Sequence, residues 1–167
     1  MPFVQSRALA DESGSACQED KMIGNGEMIV RLLLAAVFGA LIGIEREYRS
    51  KVAGLRTHLL VSIGSALLML LSQYGFGGQG DPARIAAQIV SGIGFIGAGA
   101  IIMDRRQAVH GLTTAAGIWV SSGIGMTVAA GMYLLATVAT GLSLIGLEFA
   151  VFAFRRQDDG TGKSKRS

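Results

Sequence analysis

The chain has 167 residues, of which 50% are hydrophobic and only 16% charged, with 24 glycines, 2 prolines and a mean hydropathy of +0.47. That balance excludes an ordinary soluble domain, and a net charge of +3 held in clusters between long uncharged stretches bears on membrane topology and not on nucleic-acid binding. The single cysteine, Cys17, excludes an internal disulfide or a cysteine-based metal cluster.

Residues 1–27 carry acids (Asp11, Glu12, Glu19, Asp20, Glu27) and no continuous apolar run, so they are not a secretory signal peptide. Gly14-Ser-Ala-Cys17 lacks the hydrophobic stretch that a lipoprotein cleavage site requires. The expectation is a polar tail, disordered or the product of an over-extended gene start with translation beginning at Met22 or Met28. From 28 to 154 the chain reads as a membrane domain, because about 20 apolar residues rising 1.5 Å each cover the roughly 30 Å of bilayer hydrocarbon. The first window runs from about Met28 to Ile44 and ends at Glu45-Arg46-Glu47; Arg31 sits near its outer end, where a long side chain snorkels. The second runs from about Thr57 to Phe76. A glycine-rich loop then leads into the third, about Ile85 to Met103. The stretch from Leu112 to Phe154 has one charge, Glu148, and is twice the length one helix needs; it divides near Gly131, where Ala130-Gly131-Met132-Tyr133 supplies a turn and an interfacial aromatic. Residues 155–167 form a basic tail. The predicted fold is therefore all-α: a polytopic integral membrane protein of five transmembrane helices.

Lys and Arg near segment ends favour the cytoplasmic side. Arg46, Arg49, Lys51 and Arg56, then Arg105 and Arg106, then the basic tail, all fall on one side of a five-span chain. The other side receives Arg7, Lys21 and Arg84, with Arg31 just inside its boundary. This predicts a multi-pass protein of the bacterial inner (plasma) membrane with its N-terminus outside and its C-terminus in the cytoplasm.

Small residues recur at helical spacing. Gly39 and Gly43 form a Gly-x-x-x-Gly pair, and Gly117, Ser121, Gly125 and Ala129 form a four-spaced stripe, both of which read as helix-packing surfaces. Gly92, Gly94, Gly97 and Gly99 are spread around the third span, so either several neighbours pack closely on it or the helix is broken and lines an ion site. On the packing reading, Gly94→Leu or Gly97→Leu disrupts the bundle.

Charges beside the membrane supply the remaining candidates. Glu148, an intramembrane acid about 9 Å below the cytoplasmic boundary, is either functional or paired with Arg155, Arg156 or a basic group on a neighbouring helix. Glu45, Arg46, Glu47, Arg56, Thr57, His58, Asp104 and Thr113 form the candidate functional rim, with Glu45 and Glu47 expected against Arg56 and Asp104 against a facing arginine. Glu45, Glu47, Asp104, His58 and His110 together would suit Mg²⁺, but the interleaved arginines oppose it and no metal is assigned. No serine or lysine stands beside a plausible base, and Gly92-Ile-Gly-Phe-Ile-Gly97 matches a dinucleotide pattern without the strand that pattern needs. No catalytic residue, cofactor or enzyme activity is expected.

Five strings carry a resemblance: Arg31-Leu-Leu-Leu-Ala with Gly43-Ile-Glu-Arg-Glu47; Ala53-Gly-Leu-Arg-Thr-His58; Gly64-Ser65-Ala66; Ser91-Gly-Ile-Gly-Phe-Ile-Gly-Ala-Gly99; and Gly111-Leu-Thr-Thr-Ala-Ala116 with Ile118-Trp119. In order and spacing, from about Glu27 to Phe154, they closely resemble the membrane domain of the MgtC/SapB family. The resemblance implies a bacterial inner-membrane protein associated with growth under magnesium limitation and with virulence through survival inside macrophages. Members of the family were first regarded as magnesium transporters. They are now more often viewed as regulators of membrane partners such as the F-type ATP synthase. The best-known virulence members also carry a soluble C-terminal domain, whereas this sequence continues past Phe154 as a short basic tail. Two functions follow from these readings: a regulator that binds a membrane protein, with a homo-oligomer as a further assembly, or a transporter of Mg²⁺ or another ion. A transporter places coordinating groups near the midplane, where this chain offers Ser65, Ser121 and Ser122 but no acid, so the sequence leans toward the regulator.

Overall fold

The computed structural model describes residues 23–76, 81–103 and 108–161, and the side chains of these up to residue 148. Of the polar tail expected over residues 1–27, residues 1–22 lie outside the described residues, as do Asp104, Arg105, Arg106 and the side chains of Arg155 and Arg156, whereas Asn25–Glu27 are not tail but the first turn of a helix, where Glu27 binds Arg31. Among the described residues five helices follow in chain order: α1 (Asn25–Tyr48), α2 (Leu55–Tyr74), α3 (Pro82–Gly99), α4 (Leu112–Ala129) and α5 (Tyr133–Thr161). Between α3 and α4 a short antiparallel hairpin pairs β1 (Ile102–Met103) with β2 (Val109–His110). The chain is an all-α polytopic membrane protein, and α1, α2 and α4 are long and apolar enough to cross a bilayer.

The distribution of side chains is inverted relative to a soluble bundle. Leu33, Leu60, Phe95, Leu134 and Leu142 are among the large apolar side chains exposed on the outside, while His58, Ser62, Ser65, Ser121 and Ser122 are buried. In lipid this costs little, because acyl chains are as apolar as leucine, and helices associate through close backbone approach and interhelical hydrogen bonds. α2 packs most extensively on α1 and α4, and α4 reaches all four other helices. α3 buries only a narrow face, Ile89, Ile93 and Gly97, against this core.

Several boundaries differ from the sequence reading. α1 does not stop at Ile44 but continues through Glu45-Arg46-Glu47 to Tyr48, because nothing in that run breaks a helix; Ser50, at φ 51°, turns the chain. α3 stops at Gly99 and not at Met103, and Ile102–Met103 satisfies its backbone in the hairpin instead. Gly111 joins the hairpin to α4 at φ 91°, where a Cβ would stand 2.0 Å from the Ala100 carbonyl oxygen. The long apolar stretch divides at Gly131 (φ 80°). There the Gly131 N–H donates to the Val128 carbonyl at 2.9 Å and the Met132 N–H to Thr127 at 3.0 Å, the paired bonds of a Schellman stop.

Candidate functional site

A line of polar side chains runs through the bundle from one end to the other, and its two ends are charged. At the first end, Arg46 is 2% exposed, and its guanidinium is bound by the neighbouring Glu45 carboxylate through Nη2 (2.8 Å) and Nε. Arg49 lies 3.5 Å from the same carboxylate and donates from Nη2 to Glu148 Oε2 at 2.5 Å. That hydrogen bond holds the Arg49 guanidinium above its ordinary value, so it stays charged. Glu148 thus pairs with a base on a neighbouring helix, tying α5 to the end of α1. Glu47 has a different role from the one its neighbours suggest. Its Oε2 accepts the Leu55 N–H at 2.8 Å and caps α2, and residue 54 is glycine because a Cβ there would stand 2.0 Å from that oxygen.

In the middle of the bundle, His58 Nδ1 and Ser121 Oγ are 2.8 Å apart, Ser65 and Ser122 share a 2.7 Å bond, and Ser62 Oγ donates to the Ala35 carbonyl at 2.7 Å. Glycines permit these contacts. A Cβ on Gly39 would stand 2.8 Å from the His58 carbonyl oxygen, one on Gly43 2.6 Å from Leu55 Cα, and one on Gly125 2.2 Å from the Ser62 carbonyl oxygen. Gly117 abuts the His58 ring, 3.1 Å from Cε1, and His58 Nε2 is buried without a hydrogen-bond partner.

Arg31 anchors the second end. It does not snorkel: it is 9% exposed and donates to Glu27 Oε1 (2.9 Å), the Tyr74 hydroxyl (3.3 Å) and the Ala129 carbonyl (2.7 Å). Its guanidinium also lies 5.9 Å from the centroid of Tyr133, whose hydroxyl donates to Glu27. One arginine therefore joins α1, α2, α4 and α5.

The structure brings together Glu45, Arg46 and, through Arg49, Glu148; it also joins His58 to Gly43, Gly39 and Gly117. It does not hold Glu45 and Glu47 against Arg56, because Arg46 and Arg49 occupy the first carboxylate and the α2 N-terminus occupies the second. Arg56 and Thr113 are exposed and Thr57 is half-buried, while Asp104 lies outside the described residues. No three His, Cys, Asp or Glu side chains among the described residues converge as a metal site. The glycines of α3 need the largest correction. A Cβ on Gly92, Gly94 or Gly99 would meet nothing within 4 Å among the described residues, and one on Gly97 would meet Ala115 at an ordinary 3.6 Å, so of these four glycines Gly97 alone packs against the described part of the chain. α3 is also unbroken from Pro82 to Gly99, which removes the broken-helix ion site. Sequence reasoning missed Ser62 and the anchoring role of Arg31. The spacing of Ser62 from His58, four residues along one face, was the available signal.

The MgtC family profile matches residues 32–155. YhiD of Escherichia coli (strain K12), whose full name makes it a candidate magnesium transporter, is 50% identical over 137 residues, covering 77% of this chain and 63% of YhiD. Protein MgtC of Salmonella typhimurium (strain 14028s / SGSC 2262) is 50% identical over 112 residues, covering 67% of this chain and 47% of that protein. An uncharacterized Haemophilus influenzae protein is 39% identical over 128 residues, covering 72% of this chain and 54% of its own length. The chain thus spans about half to three-fifths of the curated relatives it matches. No solved structure matches. By this coverage and by the residues 32–155 that carry it, the chain belongs to the MgtC family.

Proposed function

We propose that this chain is a non-enzymatic regulator of the bacterial inner membrane, with its N-terminus outside and its C-terminus in the cytoplasm. It serves adaptation to low magnesium and intracellular survival by acting on a membrane partner such as the F-type ATP synthase. One observation carries this reading over transport: α1, α2 and α4 meet backbone to backbone at the centre of the bundle. Ion passage needs a lumen or an unwound helix with free coordinating groups. Here a single added carbon at Gly125 would stand 2.2 Å from a facing carbonyl oxygen, and the Ser65 and Ser122 hydroxyls are bonded to each other. The surface available to a partner lies at the first charged end, where Tyr48 is 87% exposed beside exposed Lys51 and Arg56.

Transport of Mg²⁺ or another ion is the second reading, favoured by the polar line through the interior and by the name of the relative YhiD. Total cellular Mg²⁺ and ATP, compared between deletion and complemented strains under magnesium limitation, separate the two. A change in ATP at constant Mg²⁺ is the expected result. A fall in Mg²⁺ with ATP initially unchanged overturns the regulatory reading in favour of transport.

A further inference from the structure

A groove runs between α2 and α3, polar at one end and apolar beyond it. The polar end, of about 460 Å³, is lined by Ser72, Phe76, Asp81 and Arg84, and the apolar part, of about 610 Å³, runs on past Gly64 and Gly92 to Ile96. Ile85 and Gln88 line both, so the two parts are continuous. Glycine keeps the apolar part open, since a Cβ on Gly64 or Gly92 would meet nothing within 4 Å among the described residues. From Arg84 to Ile96 is 12 residues, or about 18 Å at the helical rise. One leaflet supplies about 15 Å of hydrocarbon, half of the bilayer core. The groove therefore has the depth of a single leaflet.

The charges at its mouth are not joined to each other. Asp81 turns Oδ1 to the Ala83 N–H at 2.9 Å, capping α3, and its other carboxylate oxygen accepts no hydrogen bond among the described residues. Arg84 is exposed and forms no ion pair among them. The serines are already bonded: Ser72 Oγ donates to the Pro82 carbonyl at 3.2 Å, and Ser65, further in, shares its bond with Ser122. Gln88 stands one turn deeper than Arg84 on the same face of α3, exposed and without a hydrogen bond among the described residues. An unmatched cation, an unmatched carboxylate oxygen and an amide thus sit at one end of an apolar channel of leaflet depth.

That order of groups is the order along an amphiphile with a zwitterionic head. A phosphate accepts from the planar fork of an arginine, and a primary ammonium donates to a carboxylate. About 6 Å deeper, at the level of Gln88, the glycerol ester carbonyls of a phospholipid accept from an amide NH₂. Acyl chain alone fills the walls and leaves all three polar groups unmatched.

We propose that the α2–α3 groove holds one phospholipid with a primary-ammonium headgroup. Its phosphate lies on Arg84, its ammonium on Asp81 and an ester carbonyl on Gln88, while an acyl chain runs over Gly64 and Gly92 toward Ile96. This site rests on α3 lying in the membrane, and not on whether the protein regulates or transports.

The test is a titration of the delipidated full chain, in detergent micelles, with dioleoylphosphatidylethanolamine or dioleoylphosphatidylglycerol, read by native mass spectrometry. One phosphatidylethanolamine should bind per chain, about tenfold more tightly than phosphatidylglycerol, which has the phosphate but no ammonium. Arg84→Gln should weaken both lipids about tenfold. Asp81→Asn, which keeps a capping side chain, should bring the two lipids level. Gly92→Leu, whose side chain enters the groove, should weaken both at an unchanged unfolding temperature; should it fail to fold, the two surface variants decide. Equal affinity of the wild type for the two lipids, or an advantage of phosphatidylethanolamine that survives Asp81→Asn, overturns the proposal. Binding indifferent to Arg84→Gln overturns it by reducing the lipid to a general coat, and a two-chain complex free of lipid overturns it by giving the groove to a second copy.

Discussion

Adding one methyl group at Gly125 should unfasten the centre of the bundle, whereas the same change at Gly94 should not. A Cβ at Gly125 would stand 2.2 Å from the Ser62 carbonyl oxygen, against 3.4 Å for an ordinary contact, so α4 must retreat from α2 by about 1.2 Å, the difference between the two. Overpacking of this kind costs roughly 1–3 kcal/mol. The same retreat stretches the Ser65–Ser122 bond from 2.7 Å and the His58–Ser121 bond from 2.8 Å, both beyond hydrogen-bond reach. Each such bond in a membrane bundle contributes about 0.6 kcal/mol. Removing a helical glycine returns up to about 1 kcal/mol, which leaves Gly125→Ala destabilised by roughly 1–3 kcal/mol. At Gly94 no contact opposes the gain, so Gly94→Ala should be neutral or slightly stabilising. Equilibrium unfolding by SDS in mixed micelles, followed through the fluorescence of Trp119, measures both. If the two variants unfold within about 0.5 kcal/mol of each other, a difference the physical argument places at 1–3 kcal/mol, the backbone interlock is refuted.

Other expectations concern the two ends. Arg31→Lys keeps the charge but loses the geometry that reaches Glu27, Tyr74 and Ala129 together, and should cost about 3 kcal/mol, read as lower yield and earlier thermal unfolding. Glu47→Ala removes the α2 cap and should lower stability by about 1 kcal/mol, while Glu47→Gln, which keeps an acceptor oxygen, should recover part of it; equal losses would sink the capping role. Arg56→Ala should leave unfolding unchanged and abolish complementation under magnesium limitation, because Arg56 is exposed and unpaired among the described residues. A fall in protein level would return Arg56 to a structural role. Exchanging charges by Arg49→Glu with Glu148→Arg should restore function lost in either single variant, scored by the same growth assay.

The five-helix architecture was legible because bilayer thickness dictates span length, and Gly131 and its neighbours spell out a helix stop. Gly39, Gly43, Gly117 and Gly125 were legible as packing positions because four-residue spacing puts them on one face. The α3 glycines misled for the same reason: composition says that a helix can be approached closely, but not whether anything in the chain approaches it. Glu47 shows a second limit. Its sequence neighbours are charges, so it read as one of a charged cluster, while its partner is a backbone N–H eight residues on, created only when the chain turns at Ser50. Arg31 was misread because a cation near a span's end ordinarily reaches for water, and the alternative required Tyr74, Ala129 and Tyr133 to arrive from three other helices.

The position of α4 sets an order on assembly. It enters the membrane after α1, α2 and α3, yet it supplies the partners of His58 and Ser65. Until it docks, those side chains face lipid with their hydrogen bonds unmade, and the three earlier helices form an open, partly polar intermediate. Docking of α4 then closes that surface and lets Arg31 reach the Ala129 carbonyl. Synthesis interrupted before Leu112 would therefore leave an exposed polar stripe in the bilayer, a mark by which membrane quality control can tell an unfinished chain from a finished one.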